Sequence, residues 1–303
     1  MNSFIEVQQV TKRFSNITAL HQVSLTVEPG QIFGLIGPDG AGKTTLFRII
    51  ATLLRPDEGK VFVKETDVDR EYWKIREMIG YMPGKFSLYQ DLTVKENLEF
   101  FASVFRSSVQ QNDGLIKPIY DQLKRFEERR VGNLSGGMKQ KLALCCALIH
   151  KPPLLILDEP TTGVDAVSRA EFWEILHSLV QAGITVLVST SYMNEASRCD
   201  RIALLQNGKI LAIGSPAEII GKFPSQVFSI SASDNFRLIH ALNQWEKTRF
   251  AWMFGHTVHW IPKEPVDSID HIRAFFDASG IMATQIDEIS PNMEDCFMEL
   301  ITK

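Results

Sequence analysis

A glycine-rich stretch near the N-terminus has the residue types and spacing of a loop that binds phosphate. It reads Gly37-Pro-Asp-Gly-Ala-Gly-Lys43-Thr44 and stands between the apolar run Ile32 to Ile36 and a helix predicted from Thr44 to Leu54. Glycines let backbone N–H groups face an anion, and the following helix presents its positive end to it. Lys43 would then contact the β and γ phosphates of a nucleotide, and Thr44 would bind Mg²⁺. The loop alone leaves a kinase, a GTPase and a transport ATPase open.

Two adjacent carboxylates form the second group of residues that could do chemistry. Asp158 and Glu159 follow the apolar run Leu154 to Leu157, which has the pattern of a buried strand. A carboxylate at the end of such a strand can reach the coordination shell of Mg²⁺, and a second one can orient or deprotonate an attacking water. We therefore expect Asp158 to be a metal ligand and Glu159 to be the catalytic base, although two such acids also suit a solvated loop.

A third motif, Leu134-Ser135-Gly136-Gly137-Met138, lies upstream of these acids and opens a run with helical periodicity. It closely resembles the signature motif of ABC ATPases, although Met138 stands where that family more often has Gln. The resemblance implies that two such domains dimerise head to tail, so that the signature of one covers the γ-phosphate held by the other. A serine hydroxyl and glycine amides at the start of a helix are suited to that contact.

The resemblance covers residues 4 to about 221 and implies further site residues. Phe14 matches the aromatic that stacks on adenine, although a core aromatic on an edge strand would look the same. Asp165 belongs to Gly163-Val164-Asp165, which matches the loop that crosses the dimer interface, and Asp39 stands where the family usually has Asn. The residues expected to bind ATP are Phe14, Gly37, Pro38, Asp39, Gly40, Ala41, Gly42, Lys43, Thr44, Thr45, Ser135, Gly136, Gly137 and Asp165, with Thr44 and Asp158 on Mg²⁺.

Two positions depart from the family pattern. The segment Ile79 to Gly84 aligns with the loop in which a Gln contacts Mg²⁺ and the attacking water, but this chain has Gly84. The segment Val188 to Met193 aligns with the loop whose His contacts the γ-phosphate, but this chain has Ser191 at that catalytic position. A hydroxyl cannot carry the positive charge of an imidazolium. The neighbours Lys85 and Tyr192 are candidates for the missing roles.

The elements that must position these residues follow the pattern of an α/β protein. The buried-strand runs at 154–157 and 185–188 are separated by a helical stretch, Ala166 to Gln181, which argues for a parallel sheet covered on both faces. Residues 91–134 are rich in Glu, Lys, Arg and Leu at helical spacing and predict an inserted helical subdomain. The resemblance makes this fold that of the phosphate-loop ABC ATPases.

Turn signals at residues 214–224 predict a boundary between an ATPase domain at 1–221 and an accessory domain at 222–303. Strands at 227–232, 249–254, 256–261 and 281–289, with helices at 234–246, 267–278 and the end, give the order βαββαβ of a small ferredoxin-like α+β domain. Its last residues resemble the tail of ABC ATPases from the drug and antibiotic export branch. His256 and His259 would share a strand face, where we expect an ordinary surface rather than a metal site.

Composition narrows the class of protein. With 303 residues, 45% hydrophobic and 22% charged, the chain is of an ordinary globular type, and its formal charge of −4 with interspersed signs gives no reason to expect nucleic acid as a partner. Four cysteines lack the spacing of a metal site, so we expect them to be reduced core residues. The start lacks the pattern of a secretory signal, and no apolar run is long enough to span a membrane, so we expect a cytoplasmic protein on the inner face of the membrane.

The resemblance implies an ATPase subunit that binds ATP and Mg²⁺ and powers export of a drug-like or lipid-like cargo through a separate integral-membrane permease. A second ABC ATPase, identical or different, would complete the dimer, and the permease would dock near Phe86 to Asp91. Two other classes of ABC protein fit less well. A ribosome-directed relative would usually carry two such domains in one chain, whereas each motif occurs here once. A DNA-repair relative would insert a long coiled coil, whereas residues 91–134 leave space for only a few short helices. A regulatory subunit that binds ATP and completes the active site of a partner ATPase stays open, because of Gly84 and Ser191.

Overall fold

The computed structural model describes residues 3–85, 88–108 and 113–301. The chain separates into two compact units, Met1–Pro216 and Ala217–Lys303. The strands of the first unit are β1 (Ile5–Phe14), β2 (Ile17–Val27), β3 (Ile32–Ile36), β4 (Glu58–Val63), β5 (Thr66–Asp67), β6 (Ile79–Met82), β7 (Leu154–Asp158), β8 (Thr185–Thr190), β9 (Arg201–Gln206) and β10 (Lys209–Gly214). Its helices are α1 (Lys43–Ile50), α2 (Tyr72–Met78), α3 (Val94–Val104), α4 (Asp113–Tyr120), α5 (Gly136–Leu148) and α6 (Ala166–Gln181).

Two sheets organise the first unit. One is antiparallel, in the order β2-β1-β4-β5, and the other has six strands in the order β10-β9-β3-β8-β7-β6. In the second sheet β9, β3, β8, β7 and β6 are parallel, and β10 is an antiparallel edge. Every residue of β3, β7 and β8 is buried, as expected of strands covered on both faces. The predicted parallel sheet is therefore confirmed, and it brings the carboxyl ends of β3, β7 and β8 to one edge.

Helix α1 ends earlier than the hydrophobic pattern predicts. The expected end was Leu54, before Pro56, whereas the observed end is Ile50. Thr52 adopts a left-handed φ of 62° and its N–H donates to the Ile49 carbonyl, while the Leu53 N–H donates to the Arg48 carbonyl. These two bonds form a Schellman cap, which satisfies the last carbonyls and stops the helix before proline could.

The segment predicted to be a helical subdomain contains α3, α4 and 3₁₀ turns at Lys124–Phe126 and Val131–Asn133. Helix α3 starts at a capping box, in which the Thr93 hydroxyl accepts from the Glu96 N–H and the Glu96 carboxylate accepts from the Thr93 N–H. Helix α5 begins directly afterwards at Gly136. The signature segment Leu134–Met138 therefore lies at the start of a helix, as the sequence predicts.

The second unit has the element order that the sequence predicts. After α7 (Pro216–Gly221), where the chain divides, come β11 (Val227–Ala232), α8 (Asn235–Gln244), β12 (Thr248–Phe254), β13 (Thr257–Pro262), α9 (Ile269–Ala278), β14 (Ala283–Ile289) and α10 (Met293–Ile301). The sheet is antiparallel in the order β12-β13-β11-β14, which is the ferredoxin-like arrangement. The core is formed by Phe228, Ile230, Leu238, Leu242, Val258, Trp260, Ile272, Phe276 and Ile281.

The expectation for the two histidines of this unit was wrong. His256 lies in the turn before β13, so it does not share a strand face with His259. His259 is buried, and its Nδ1 lies 2.7 Å from Oδ1 of the buried Asp295 at the start of α10. Since a buried polar ring requires a partner, the pair docks α10 on the sheet and is not a surface feature.

Candidate functional site

A cavity of about 450 Å³ opens at the edge where the parallel strands end. It is lined by Ala19, Asp39, Gly40, Gly42, Lys43, Thr44, Thr45, Arg48, Pro83, Gly84, Lys85, Asp158 and Glu159. The loop after β3, the start of α1, the end of β7 and the loop after β6 all contribute, because parallel strands place their carboxyl ends side by side. The cavity therefore joins the predicted phosphate loop to the two predicted carboxylates.

The phosphate loop, Gly37–Thr44, curls around the ammonium group of Lys43. The Lys43 Nζ donates to the carbonyl oxygens of Gly37 at 2.8 Å and Pro38 at 3.0 Å, and it lies 3.0 Å from Oε1 of Glu159. Gly42 has a φ of 109°, and a Cβ there would lie 2.5 Å from the Ala19 carbonyl oxygen. Only glycine fits this position, since both the backbone conformation and the close approach exclude a side chain.

Ser189, a residue that the sequence reasoning missed, holds the carboxylate of Asp158 and the backbone of Glu159. Asp158 is buried, and its Oδ1 accepts a 2.7 Å hydrogen bond from the Ser189 hydroxyl. The Glu159 N–H donates to the same hydroxyl oxygen at 3.0 Å, while Glu159 itself has a φ of 50°. Ser189 pairs directly with Asp158 in the parallel register of β7 and β8. A polar residue at the matching end of the neighbouring buried strand was the signal that could have identified it.

Gly84 lies against the predicted metal ligand. A Cβ built at this position would be 3.2 Å from the Asp158 carbonyl oxygen and 3.8 Å from its Oδ2. A longer side chain at residue 84 would therefore point into the cavity beside Asp158. Lys85 also lines the cavity and is exposed. The absence of a side chain at residue 84 leaves the cavity open at the position where the resemblance expects Gln.

Comparison with known proteins identifies the family. A profile of the family described as "ABC transporter" matches residues 20–162. Nod factor export ATP-binding protein I of Rhizobium meliloti (strain 1021) is 36% identical over 300 residues, which is 98% of this chain and 87% of that protein.

This chain belongs to the ABC transporter ATP-binding family. The probable multidrug ABC transporter ATP-binding protein YbhF of Escherichia coli (strain K12) is 42% identical over 217 residues, or 71% of this chain, and the match spans only 38% of that relative. A solved ATP-binding subunit of an ABC transporter has a TM-score of 0.66 at 28% identity, covering 73% of this chain and 93% of that one. The ATP-binding cassette MJ0796, solved as a dimer with ADP and Pi, has a TM-score of 0.63 at 29% identity, covering 70% and 98%. The predicted family and fold are confirmed.

The signature segment of this ABC cassette presents its polar start to solvent. Ser135 is exposed, and its hydroxyl caps α5 by accepting from the Met138 N–H at 3.3 Å. A Cβ on Gly137 would lie 2.7 Å from the Ser168 hydroxyl oxygen, so glycine lets α5 approach the first turn of α6 closely. Ser135, Gly136 and Gly137 do not line the cavity around Lys43. This separation fits the expectation that a signature serves the site of a second cassette.

Besides the signature, six predicted site residues of the cassette do not line the cavity: Phe14, Gly37, Pro38, Ala41, Asp165 and Ser191. Phe14, at the end of β1, is 44% exposed, with Lys12 Nζ 5.6 Å from its ring. Asp165 caps α6, and its Oδ1 accepts from the N–H groups of Val167 and Ser168, which lowers the pKa of the carboxyl. Ser191 directly follows β8. The cavity therefore brings the phosphate loop, Asp158 and Glu159 together, whereas Phe14, Asp165 and Ser191 do not line it.

A second, mostly apolar groove lies between α3, α5 and β6 of the cassette. Its volume is about 380 Å³, and it is lined by Ala51, Leu53, Arg76, Ile79, Gly80, Tyr81, Phe101, Phe105, Ala143, Cys146, Ala147 and His150. The docking position expected near Phe86 to Asp91 stays a prediction. In that segment Leu88 is buried, while Tyr89 is exposed and packs on Phe100. Phe86 lies outside the described residues. The groove also contains Phe101 and Phe105 at the end of α3, which the linear pattern did not single out.

The four cysteines lie in the core, as the sequence predicts. Cys145, Cys146, Cys199 and Cys296 are all free and buried. Burial raises the pKa of each of these thiols above its usual value. Among residues 3–85, 88–108 and 113–301, no helix has the length and apolar character required to cross a bilayer.

Proposed function

We propose that this cassette binds MgATP, is completed by the signature of a second cassette, and hydrolyses the nucleotide to drive export through a separate integral-membrane permease. The observation that supports it is the single cavity that holds Lys43, Asp158 and Glu159. Phosphoryl transfer requires three groups: a cation that binds phosphate, a carboxylate that binds a metal and a second carboxylate that activates water.

The chain's own residues divide these functions. Lys43 would contact the β and γ phosphates, which would compete with Glu159 for the ammonium now 3.0 Å away. Glu159 would then be released to accept a proton from the attacking water. Thr44 and Asp158 would hold Mg²⁺, since hydroxyl and carboxylate oxygens are its preferred protein ligands. When bound, Mg²⁺ neutralises charge on the phosphates.

We propose the groove between α3 and α5 as the site where a cytoplasmic helix of the permease docks. Phe101 and Phe105 supply an apolar wall, while Arg76 and His150 supply polar contacts at the rim. Such a mixture suits the apolar face of an amphipathic helix. Docking there would hold the protein in the cytoplasm against the inner face of the membrane, with no nucleic acid involved.

The cargo is proposed from the relatives. The compared proteins are named for multidrug transport and for Nod factor export. We propose that the cargo of this transporter is likewise a drug-like or lipid-like molecule, which the permease rather than the cassette would contact.

The proposal is tested with Lys43→Ala and Glu159→Gln, using Lys95→Ala as a matched control because Lys95 is an exposed lysine on α3. We expect MgATP affinity to fall by about two orders of magnitude in Lys43→Ala, since each hydrogen bond to a charged group contributes roughly 1.5–3 kcal/mol. Glu159→Gln should keep its affinity and accumulate an ATP-bound dimer, with itself or with its partner cassette, because water is no longer activated. Unchanged affinity in Lys43→Ala would refute the phosphate-loop assignment.

A further inference from the structure

A buried carboxylate lies behind the two loops that leave the parallel sheet beside the cavity. Glu195 is 3% exposed. Its Oε1 accepts from the Thr161 hydroxyl at 2.8 Å, and its Oε2 accepts from the Thr190 hydroxyl at 2.6 Å. Thr161 follows Glu159 by two residues, and Thr190 immediately precedes Ser191. One side chain therefore joins the loop of the catalytic base to the loop of the expected switch residue.

Arg169, in the first turns of α6, connects this carboxylate to a third loop. Its Nε lies 3.7 Å from Glu195 Oε1, and its Nη2 donates to the Val164 carbonyl at 3.3 Å. Its guanidinium carbon lies 4.3 Å from the ring centre of Tyr192, the residue after Ser191. A cation near a helix N-terminus opposes the helix dipole, so α6 itself gains nothing from an arginine there. Its contacts with other loops account for it better.

We propose that Arg169 and Glu195 are positioning residues. They transmit the structural change caused by nucleotide binding from the Ser191 loop (residues 191–193) to the Asp165 loop (Gly163–Asp165). This inference rests on the proposed ATPase function. The Gly37 N–H of the phosphate loop donates to the Thr190 carbonyl at 3.2 Å, so a phosphate that shifts the phosphate loop also shifts the Ser191 loop. Tyr192 then moves with its loop and changes the position of the guanidinium. The hydrogen bond that Arg169 donates to the Val164 carbonyl, next to Asp165, then changes. Glu195 Oε1, 3.7 Å from the Arg169 Nε, keeps the guanidinium oriented, because separating the two would leave an uncompensated buried charge.

This link has particular value in a chain with Ser191. A serine side chain is short and uncharged, so it cannot pull on phosphate as an imidazolium would. Tyr192 extends the reach of the same loop to Arg169, whose contacts with Val164 and Glu195 are already formed. The coupling therefore passes through Tyr192, which follows the position where the family has His, and it uses the ring of Tyr192 rather than its hydroxyl.

The test places a fluorescent label on Val167→Cys in the full chain. Val167 is 70% exposed in the first turn of α6, and the four native cysteines are buried, so thiol labelling is selective. We expect MgATP to change the label signal in this reference protein. Adding Arg169→Met should remove most of that change and lower turnover by roughly 10- to 100-fold, the cost of misplacing catalytic groups. Its MgATP affinity should stay within about threefold, since Arg169 does not line the cavity.

The controls separate coupling from simple loss of structure. Arg198→Met removes an arginine that pairs with exposed Glu174 on the same unit, and it should leave the signal unchanged. Tyr192→Phe keeps the ring and should keep the label signal of the reference, whereas Tyr192→Leu should weaken that signal even if Arg169→Met fails to fold. A full signal change in Tyr192→Leu, or MgATP binding without any signal change in the reference, would overturn the inference. A reference protein that does not bind MgATP would instead refute the proposed function.

Discussion

At the scale of single residues, the loops that we propose to be catalytic keep some of the side chains that the ABC family pattern expects and lack others. Lys43, Asp158 and Glu159 are held in one cavity, whereas Gly84 offers no side chain beside Asp158 and Ser191 offers no positive charge. A positioned side chain that transfers or orients a proton contributes roughly 10²- to 10⁴-fold to a rate. The site built on this chain's own phosphate loop should therefore bind nucleotide well and turn it over slowly.

The first prediction restores the two missing side chains. Gly84→Gln combined with Ser191→His should raise the turnover of the chain's own site by about tenfold or more, because an amide and an imidazole would face the phosphates again. A Cβ at residue 84 meets the Asp158 carbonyl at 3.2 Å, so a small backbone adjustment is required. Gly84→Ala makes the same contact without the amide and serves as the control in steady-state ATPase measurements. Robust turnover that neither substitution changes would mean that Lys85 or Tyr192 already fills these roles.

At the scale of elements, the groove between α3 and α5 depends on a stacked pair. The rings of Phe105 and His150 lie 3.9 Å apart at 10°, and His150 Nε2 lies 3.0 Å from the Ile79 carbonyl oxygen. This arrangement joins the end of α3 to the loop after α5 and to β6. The same residues that line the groove therefore also hold its walls together.

The second prediction concerns docking of the permease. Phe105→Asp should weaken association with the permease by at least about tenfold, because a charge would be buried in an apolar contact, while MgATP affinity is unchanged. Val104→Asp is the matched control, since Val104 is exposed on the same helix but does not line the groove. Co-purification and ATPase stimulation measure the effect. Equal binding by the two variants would place the permease elsewhere.

The third prediction is a pH dependence of stability at this groove. Burial lowers the pKa of His150 below its usual value of 6.5. The unfolded chain therefore binds more protons than the folded chain near and below this pH, so the free energy of unfolding should fall as pH decreases through about 6.5. His150→Gln should reduce this dependence, whereas His21→Gln, at an exposed histidine, should keep it. Denaturant melts between pH 5 and pH 8 measure both, and identical slopes for the two variants would contradict the assignment.

At the scale of the whole molecule, each unit has a hydrophobic core made from its own residues. The core of the first unit includes Phe33, Phe47 and Ile156, and that of the second includes Phe228 and Trp260. The cavity around Lys43, proposed to bind the nucleotide, is lined entirely by residues of the first unit. Domain-sized units of this kind can fold separately when each buries sufficient apolar surface.

The fourth prediction is that residues 1–221 fold and bind MgATP without the remainder of the chain. Affinity should lie within about threefold of the full chain, since no cavity residue is removed. Circular dichroism and calorimetric titration of the truncated protein are the measurements. A soluble, folded fragment that fails to bind MgATP would show that the second unit contributes to the site and that the proposed boundary is functionally wrong.

The fifth prediction is that this cassette works with a different, more complete ATPase as an unequal pair. Gly84 and Ser191 belong to the site on its own phosphate loop, whereas the signature at Ser135 would complete the site of the partner. Purified alone, the chain should hydrolyse ATP weakly, and the mixture should exceed the sum of the two. Ser135→Ala should then damage the mixed complex more than Glu159→Gln. Strong turnover by the isolated chain would favour a working homodimer instead.

The linear sequence was sufficient for the identity of the family, the parallel sheet, the βαββαβ order of the second unit and the group Lys43, Asp158 and Glu159. These features depend on local patterns, because strand periodicity, glycine spacing and the position of acids after a buried strand are all encoded within a few residues. The resemblance then supplied the positions of the signature and of the two departures. Local patterns do not predict contacts between residues that are distant in the chain.

Only the tertiary structure revealed the partners that hold the site. Ser189 meets Asp158 because β7 and β8 pair in register, and Glu195, five residues after Thr190, links Thr190 to the distant Thr161. The early end of α1 also depends on a left-handed residue rather than on the hydrophobic pattern. Hydrogen bonds across neighbouring strands and loops are set by how elements pack, so a pattern along the chain can suggest a polar strand end, but only the strand pairing shows which carboxylate it binds.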